Sequence, residues 1–222
     1  MTDGNEKIHS KNYRDYVIKD GKFIGAFEEM YQNVEDPWNH GDATATQYDL
    51  ALLLLQRHAV CRDGGRVLDI GCGKGAFTSR VREILPICSI TGVDISSTAI
   101  QHAKKKHGSK NIEFHTLDIQ KDFRTIKTRY DLIIISQMVW YILPRLGEII
   151  QYLTDYVLER KGYLLINQAF YKPQEQTYGK EMISTVEDLL EYVGIPPVEI
   201  LESNRFTNHD VVILFRKLDN CG

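Results

Sequence analysis

The segment VLDIGCGKGAF, residues 67–77, decides the fold of this 222-residue chain. It begins with a short apolar run typical of a buried strand, and the residues from Ala76 onward have helical spacing. Between them lie Gly71, Gly73 and Gly75, and glycine permits backbone conformations and close approaches that other residues resist. The segment therefore predicts a strand, a glycine-rich turn, and a helix whose first N–H groups point at a ligand in the turn.

The spacing of these glycines separates classes of nucleotide-binding turn. The nicotinamide and flavin pattern is G-x-G-x-x-G, whereas here the third glycine falls one place early and gives G-x-G-x-G. A phosphate-binding loop needs a lysine followed by serine or threonine, and no such pair stands at that spacing. The turn is therefore typical neither of a dehydrogenase nor of a nucleoside triphosphatase.

Two acids follow the next two strand-like runs. Asp94 ends the first of them, 23 residues after Gly71, where a carboxylate can accept hydrogen bonds from a ribose diol. Asp118 follows the second, where its carboxylate can accept from the exocyclic amine of adenine while Ile119 donates its backbone N–H to the ring. The glycine turn and the two acids, in this order, predict a site for an adenosine-containing cofactor.

Strand-like runs alternate with helical stretches along most of the chain. The runs lie at residues 67–70, 89–93, 112–117, 132–136 and 163–167, and helices are predicted at 76–84, 97–107, 146–159 and about 182–193. Such alternation predicts an α/β fold with a doubly wound, mostly parallel sheet. Two final runs, 198–203 and 211–215, are joined by about seven residues, too few for a parallel crossover, so we expect a seven-stranded sheet that ends in an antiparallel hairpin.

The N-terminal region differs from this pattern. Its first forty residues are polar and aromatic, and Asp36-Pro37-Trp38 interrupts helix formation because the residue before proline avoids the α conformation. A helix is predicted at 44–60 from the spacing of its leucines. We therefore divide the chain into an N-terminal helical lid over cofactor and substrate, residues 1–62, and a core, residues 63–222.

Composition and charge indicate the setting of the protein. The net charge of -3 gives no general attraction to phosphate backbones or anionic membranes. The N-terminus lacks the apolar stretch of a signal peptide, and the longest apolar run, residues 51–55, is too short to cross a bilayer. The four cysteines have no metal-ligand spacing. We expect a cytoplasmic monomer or homodimer without a metal, a nucleic-acid partner or a membrane partner.

Residues 66 to about 217 resemble the class I S-adenosylmethionine-dependent methyltransferases, which have a Rossmann-like fold. More narrowly, the NodS-like group is similar in the segments GCGKGAFT at 71–78, LDIQ at 117–120, YDLII at 130–134 and VWYIL at 139–143, and in the upstream Tyr31 with Asp36-Pro37-Trp38. That group includes N-methyltransferases that act on the amino sugar of nodulation factors. The resemblance implies S-adenosyl-L-methionine as cofactor and S-adenosyl-L-homocysteine as product.

The resemblance also implies which residues hold the cofactor. Gly71, Cys72, Gly73 and Gly75 would surround its methionine and ribose parts. The other implied contacts are Asp69 at the methionine end, Asp94 with Ile95 at the ribose, Asp118 with Ile119 at the adenine, and the backbone of Ser136 or Gln137 at the methionine ammonium. Trp38 is expected either to close over the cofactor or to anchor the lid in the core.

The methyl acceptor is expected outside the carboxyl ends of the strands, near 136–141 and 167–171 and under the N-terminal segment. The fourth strand lacks the Pro-Pro-aromatic motif of amino-directed nucleic-acid methyltransferases, and no Pro-Cys pair supports pyrimidine C5 methylation. An acceptor hydroxyl usually needs a base. The candidates are His40, His209 and Tyr141, of which His40 and Tyr141 are the predicted catalytic residues.

The predicted reaction is methyl transfer to a small polar acceptor, a sugar or sugar-derived metabolite of surface-glycan or natural-product biosynthesis. Aromatic residues near the expected site suit a carbohydrate or an amine, but equally suit ordinary packing. Two alternatives stay open: an O-methyltransferase of another small metabolite, and a non-catalytic partner protein that binds S-adenosylmethionine.

Overall fold

The computed structural model describes residues 8–38, 46–108, 111–171, 176, 178–204 and 208–218. Residues 8–38, here called the N-terminal segment, contain helix α1 (Arg14–Val17), a two-stranded hairpin of β1 (Ile18–Lys19) and β2 (Lys22–Phe23), and helix α2 (Phe27–Asn33). Helix α3 (Thr46–Arg57) precedes the sheet. None of the helices described is long and apolar enough to span a membrane.

The main sheet has seven strands. They are β3 (Arg66–Ile70), β4 (Ser89–Asp94), β5 (Ile112–Thr116), β6 (Tyr130–Ser136), β7 (Leu158–Tyr171), β8 (Pro197–Asn204) and β9 (Asn208–Arg216). Their spatial order is β5-β4-β3-β6-β7-β9-β8, and β9 pairs antiparallel with both of its neighbours while the pairs from β5 to β7 are parallel. This confirms the predicted fold class and the terminal hairpin.

Helices α4 to α9 accompany the strands. They are α4 (Ala76–Ile84), α5 (Ser97–His107), α6 (Ile119–Asp122), α7 (Val139–Ile142), α8 (Leu146–Tyr152) and α9 (Val186–Val193). Three predicted helices are shorter in the structure, and one of them, predicted at 44–60, ends at Arg57. The one predicted at 146–159 ends in a π-helical turn, Leu153–Val157, because Leu158 already pairs with Tyr130 as part of β7. Helix α9 begins only at Val186, because Thr185 and Asp188 form a capping box there.

The two faces of the sheet bury separate hydrophobic clusters. Along β6, Ile133 and Ile135 face the cluster that contains α8 and α9, whereas Leu132 and Ile134 face the cluster that contains α3, α4 and α5. Side chains alternate between the faces of a strand, so a strand covered on both faces is apolar throughout. Helix α3 packs on the sheet as part of the second cluster; the division of the chain at residue 62 stays a prediction.

The N-terminal segment has a small core of its own. Tyr16, Val17, Met30 and Tyr31 are buried in it together with Ala99 of α5. Tyr16 also fixes the start of the segment to this core, since its hydroxyl donates to the backbone carbonyl of Ser10 at 2.8 Å. The segment thereby lies against the beginning of α5, next to the carboxyl ends of the strands.

Candidate functional site

A cavity of about 280 Å³ lies at the carboxyl ends of β3, β4 and β6, under the N-terminal segment. It is lined by eleven of the twelve residues predicted to hold a cofactor: Trp38, Asp69, Gly71, Cys72, Gly73, Asp94, Ile95, Asp118, Ile119, Ser136 and Gln137. These residues come from five separate segments. The parallel topology therefore brings the sequence-predicted set together in one place.

Gly75, the twelfth residue, is not part of the lining. It is the N-cap of α4 with a left-handed φ of 78°, and a Cβ atom there would lie 2.8 Å from Cζ of Phe114. Glycine is needed here for packing between α4 and β5. His107 of α5 is part of the same contact region and is only 8% exposed.

Gly71 is the most confined glycine of the turn. Its φ is 75°, and a Cβ atom on it would lie 1.8 Å from Sδ of Met138, the residue after the β6 turn. Gly73 meets the N-terminal segment instead, because a Cβ there would lie 2.8 Å from the hydroxyl oxygen of Tyr31. The glycine turn is thus held between β6 on one side and α2 on the other.

Asp94 ends β4 inside the cavity and is 8% exposed. The backbone N–H groups of Gly73 and Ser96 each donate to its carboxylate at 2.9 Å. Burial raises the pKa of Asp94 to about 6, the two backbone hydrogen bonds oppose this rise, and the charge of Glu28 adds to it. At neutral pH the carboxylate is ionised and still has lone pairs free for a ligand.

Two further acids lie on either side of Asp94. Asp69 of β3 accepts a hydrogen bond from Oγ1 of Thr78 at 2.6 Å, and burial raises its pKa to about 6. Asp118 caps α6, since the backbone N–H of Gln120 donates to its carboxylate at 3.1 Å. All three carboxylates therefore have fixed orientations before any ligand binds.

The turn after β6 is held in place by the backbone and side chain of Gln137. Gln137 has a left-handed φ of 55°, a strained conformation for a residue other than glycine. Its backbone N–H donates to the carbonyl of Asn167 at 2.7 Å, and its Oε1 accepts from the N–H of Ala169 at 3.1 Å. These bonds to β7 fix the backbone of Ser136 and Gln137 at the edge of the cavity.

The charge of the lining distinguishes between cofactor classes. Among the lining residues that the structure describes, the acids are Asp36, Asp69, Asp94, Asp118 and Asp210, and the one basic side chain is Lys74. The ammonium of Lys74 donates to the backbone carbonyl of Glu35. Such a lining repels phosphate groups and attracts cations. A lining with this charge therefore fits a cofactor that carries an ammonium and a sulfonium, as S-adenosylmethionine does.

The opposite wall of the cavity is aromatic. Tyr141 of α7 lies at its centre, with ring centroids 5.1 Å from Phe27 and 5.9 Å from Trp38. Trp38 in turn packs on Tyr13 at 5.1 Å and donates its Nε1–H to the hydroxyl of Tyr31 at 2.8 Å. Trp38 thus lines the cavity and also anchors the N-terminal segment, while its closure over a cofactor stays a prediction.

The three base candidates have different surroundings. His40 lies outside the described residues. His209 pairs with Glu202, Nε2 to Oε2 at 2.9 Å, and is not among the lining residues. Tyr141 lines the cavity, but burial raises the pKa of its hydroxyl above the ordinary value, so it keeps its proton and can act as a hydrogen-bond donor.

Two acids of this region were not predicted from the sequence. Glu28 of α2 accepts hydrogen bonds from Ser96 and Thr98 beside Asp94, across a separation of about seventy residues that no local pattern indicates. Asp210 of β9 is fully buried and lines the cavity beside Ala169 of β7. The sequence does contain a signal that could have indicated Asp210, because this acid stands directly before the apolar run of the last strand.

A sheet with an antiparallel β9 and an acid-lined cavity at its carboxyl edge defines a class I S-adenosylmethionine-dependent methyltransferase. The family model described as "Methyltransferase domain" matches residues 62–210, and the chain belongs to that family. Its cofactor class is S-adenosylmethionine, as the sequence resemblance implied.

Curated relatives cover parts of the chain. Nodulation protein S of Bradyrhizobium diazoefficiens is 31% identical over 111 residues, which are 49% of this chain and 50% of that protein. Malonyl-[acyl-carrier protein] O-methyltransferase of Bacillus cereus is 31% identical over 102 residues, 46% of this chain and 36% of that protein. The chain therefore spans half or less of the length of these relatives.

Solved structures with the same fold are more distant in sequence. One comes from work on the conversion of a disulfide bond into a thioacetal group during echinomycin biosynthesis, with a TM-score of 0.64, 19% identity, and coverage of 87% of this chain and 92% of that chain. The [4+2]-cyclase SpnF gives a TM-score of 0.64 at 17% identity, covering 82% and 86%. Coclaurine N-methyltransferase gives 0.58 at 15%, covering 80% and 75%. These likenesses concern the fold alone.

Proposed function

We propose that the protein transfers the methyl group of S-adenosylmethionine to a small polar acceptor, a sugar or sugar-derived metabolite of surface-glycan or natural-product biosynthesis. The observation that carries this proposal is the division of one cavity into an acidic side at the glycine turn and an aromatic side around Tyr141. The acidic side suits a cationic adenosine cofactor. The aromatic side suits a ring with apolar faces and polar edges.

The cofactor would extend along the carboxyl ends of β3, β4 and β6. Asp94 would accept from the ribose hydroxyls, and Asp118 with the backbone N–H of Ile119 would bind the adenine. Asp69 and the backbone of Ser136 and Gln137 would hold the methionine end. When bound, S-adenosylmethionine supplies an electrophilic methyl group on its sulfonium sulfur.

The acceptor would lie between Tyr141, Tyr171 and Asp210. The carboxylate of Asp210 is fully buried at the cavity and can accept from an acceptor hydroxyl or amine. The protonated hydroxyl of Tyr141 can donate to a polar edge of the acceptor and orient it. Since sulfonium is already a good leaving group, alignment of the acceptor with the methyl carbon supplies much of the rate.

The names of the relatives support methyl transfer and leave room for different acceptors. One relative is a malonyl-[acyl-carrier protein] O-methyltransferase, and a solved structure with the same fold is a geranyl diphosphate C-methyltransferase. The choice of a sugar-like acceptor therefore depends on the aromatic wall and Asp210 of this chain, together with the likeness to Nodulation protein S.

Transfer of a radiolabelled methyl group tests the proposal. The protein is incubated with S-adenosyl-[methyl-³H]methionine and either fractionated cell extract or a panel of sugars and amino sugars. We expect label in hydrophilic compounds of low mass, and its loss in an Asp94→Ala variant. Label that appears in protein or RNA instead would refute the acceptor class, and stabilisation of the fold by a nicotinamide cofactor alone would refute the cofactor.

A further inference from the structure

Helix α2 of the N-terminal segment contacts the turn at Ser96–Thr98, which supports the carboxylate of Asp94. We propose that Glu28 is a positioning residue for Asp94: its carboxylate fixes the turn at Ser96–Thr98, whose backbone holds the carboxylate assigned to the ribose. The cofactor site would then be complete only when the N-terminal segment is docked. This inference rests on the proposed function, because it concerns the binding of S-adenosylmethionine.

The contacts of Glu28 satisfy both of its carboxylate oxygens. Oε2 accepts from Oγ of Ser96 at 2.7 Å and from the N–H of Thr98 at 3.2 Å. Oε1 accepts from Oγ1 of Thr98 at 2.6 Å and from Oγ of Ser97 at 3.1 Å. Four hydrogen bonds from three consecutive residues fix the orientation of this turn relative to α2.

Ser96 connects Glu28 with Asp94. It is the N-cap of α5: its Oγ accepts from the N–H of Ala99 at 3.1 Å, and the same Oγ donates to Glu28. Its backbone N–H donates to Oδ1 of Asp94 at 2.9 Å. A displacement of Ser96 would therefore remove one of the two backbone donors that orient Asp94.

The charge of Glu28 acts on the same site. Burial raises its pKa, but the hydrogen bonds from Thr98, Ser96 and Ser97 outweigh this effect and lower the pKa to about 2, so Glu28 is ionised at neutral pH. Its negative charge lies at the N-terminus of α5, where the helix dipole favours an anion.

Within the part of the chain that the structure describes, the titratable groups that act on Asp94 or feel its charge are Glu28 and Tyr31 of α2, Asp69 of β3, and Cys72 of the glycine turn. After burial, Glu28 is the neighbouring charge that raises the pKa of Asp94. Loss of the Glu28 charge should therefore have two separate results. Removal of the charge alone lowers the pKa of Asp94, whereas a turn that loosens and withdraws the N–H of Ser96 raises that pKa, and the Ser96 hydrogen bond acts more strongly on Asp94 than the Glu28 charge does.

The next residue in the same helix offers a matched control. Glu29 carries the same charge, but its Oε1 accepts from the backbone N–H of Ile8 at 2.8 Å, within the N-terminal segment. Replacing it with glutamine changes the net charge of the chain by the same amount without touching the turn at Ser96.

The experiment measures the Kd for S-adenosylmethionine by calorimetry from pH 5 to pH 8 in the wild type, Glu28→Gln and Glu29→Gln, with circular dichroism to verify the fold. A hydrogen-bonded ion is worth more than a neutral pair, and for this partly exposed group we expect about tenfold weaker binding in Glu28→Gln at pH 8. The midpoint of the loss of affinity on acidification should move to higher pH, since Asp94 loses the N–H of Ser96 that lowers its pKa. Glu29→Gln should match the wild type in both quantities.

Equal behaviour of the two variants would overturn the inference. So would weaker binding in Glu28→Gln with a midpoint that stays in place or moves to lower pH, because Asp94 then keeps the N–H of Ser96 and Glu28 acts through its charge or only anchors the N-terminal segment. Failure of the proposed function has a different signature: the wild type itself would bind no S-adenosylmethionine at any pH in the range.

Discussion

The acidic and aromatic sides of the cavity are built in different ways. The acidic side comes from residues 69–74, 94–95 and 117–120, each of which directly follows or ends a strand of the parallel sheet. The aromatic side combines Tyr13 and Trp38 with Tyr141 and Tyr171, which are far apart in the sequence. Parallel topology alone places the first set, whereas the second depends on how the N-terminal segment and the end of β7 pack.

This difference implies different sensitivities. On the acidic side, backbone conformation and the charge of single carboxylates determine binding, so changes there should affect the cofactor strongly. On the aromatic side several rings share the contact, so one substitution should have a smaller effect and should concern the acceptor. The variants below test this distinction.

Asp94→Ala should have the largest effect. We expect the Kd for S-adenosylmethionine to rise roughly 100-fold, because a carboxylate that accepts from two ribose hydroxyls is worth about 3 kcal/mol. The apo protein should lose only a little stability: the raised pKa of Asp94, about 6, means that its ionised form costs folding free energy at pH 7, and this offsets part of the cost of leaving the N–H groups of Gly73 and Ser96 without their acceptor. Calorimetry and thermal unfolding measure the two quantities.

The exposed Asp122, at the end of α6, gives the matched control, since Asp122→Ala should leave the affinity unchanged. Undiminished cofactor affinity in Asp94→Ala would show that the ribose contact is misassigned. A large fall in melting temperature would contradict the expected offset between burial of the charge and loss of the two hydrogen bonds.

Gly71→Ala tests the backbone on the acidic side. The φ of 75° costs an alanine about 1 kcal/mol, and the new Cβ would also meet Sδ of Met138. Gly64 is the matched control, since its φ is 71° and a Cβ atom added there would have no neighbour within 4 Å. Denaturant unfolding should show a loss of about 1 kcal/mol in Gly64→Ala and roughly 2–3 kcal/mol in Gly71→Ala. Equal losses would mean that Met138 moves away freely.

The regular elements were predictable wherever a local pattern determines them. Helices α4 and α5 begin and end where the sequence predicted, because each follows a strand and a turn with clear signals. The start of β7 was not predictable, since residues 158–161 have no apolar periodicity of their own. They form part of the strand because Leu158 pairs with Tyr130, and the spacing of residues in the sequence does not indicate that register.

The site shows the same division. The glycine turn, Asp94 and Asp118 were located from the sequence because they follow strands in a fixed order. Glu28 and Asp210 were missed, since their positions depend on the docking of α2 on α5 and on the register of β9 against β7. Gly75 was assigned to the cofactor by the family resemblance, although its contact with Phe114 of β5 accounts for the glycine there.

Asp210→Asn tests the aromatic side with a change of charge alone. If the buried carboxylate accepts from the acceptor, its loss should raise the KM for the acceptor about tenfold, within the usual cost of a hydrogen bond to an ion. The Kd for S-adenosylmethionine should stay the same. Glu202 on the neighbouring β8 pairs with His209 outside the cavity, so Glu202→Gln should change neither quantity. A fall in cofactor affinity alone would show that Asp210 acts on the acidic, cofactor-binding side of the cavity.

Tyr141→Phe should have the smallest effect, because it removes one hydroxyl and keeps the ring that packs on Phe27 and Trp38. Burial keeps the pKa of this hydroxyl above its ordinary value, so it acts as a donor rather than a base. We expect kcat to fall about threefold with the shape of its pH profile unchanged between pH 6 and 9. Tyr178→Phe, which stacks on Phe23 at 5.6 Å, should leave kcat unaltered. Loss of activity together with loss of a basic limb in Tyr141→Phe would instead identify Tyr141 as the catalytic base, and catalysis would then depend on the aromatic side as strongly as binding depends on the acidic one.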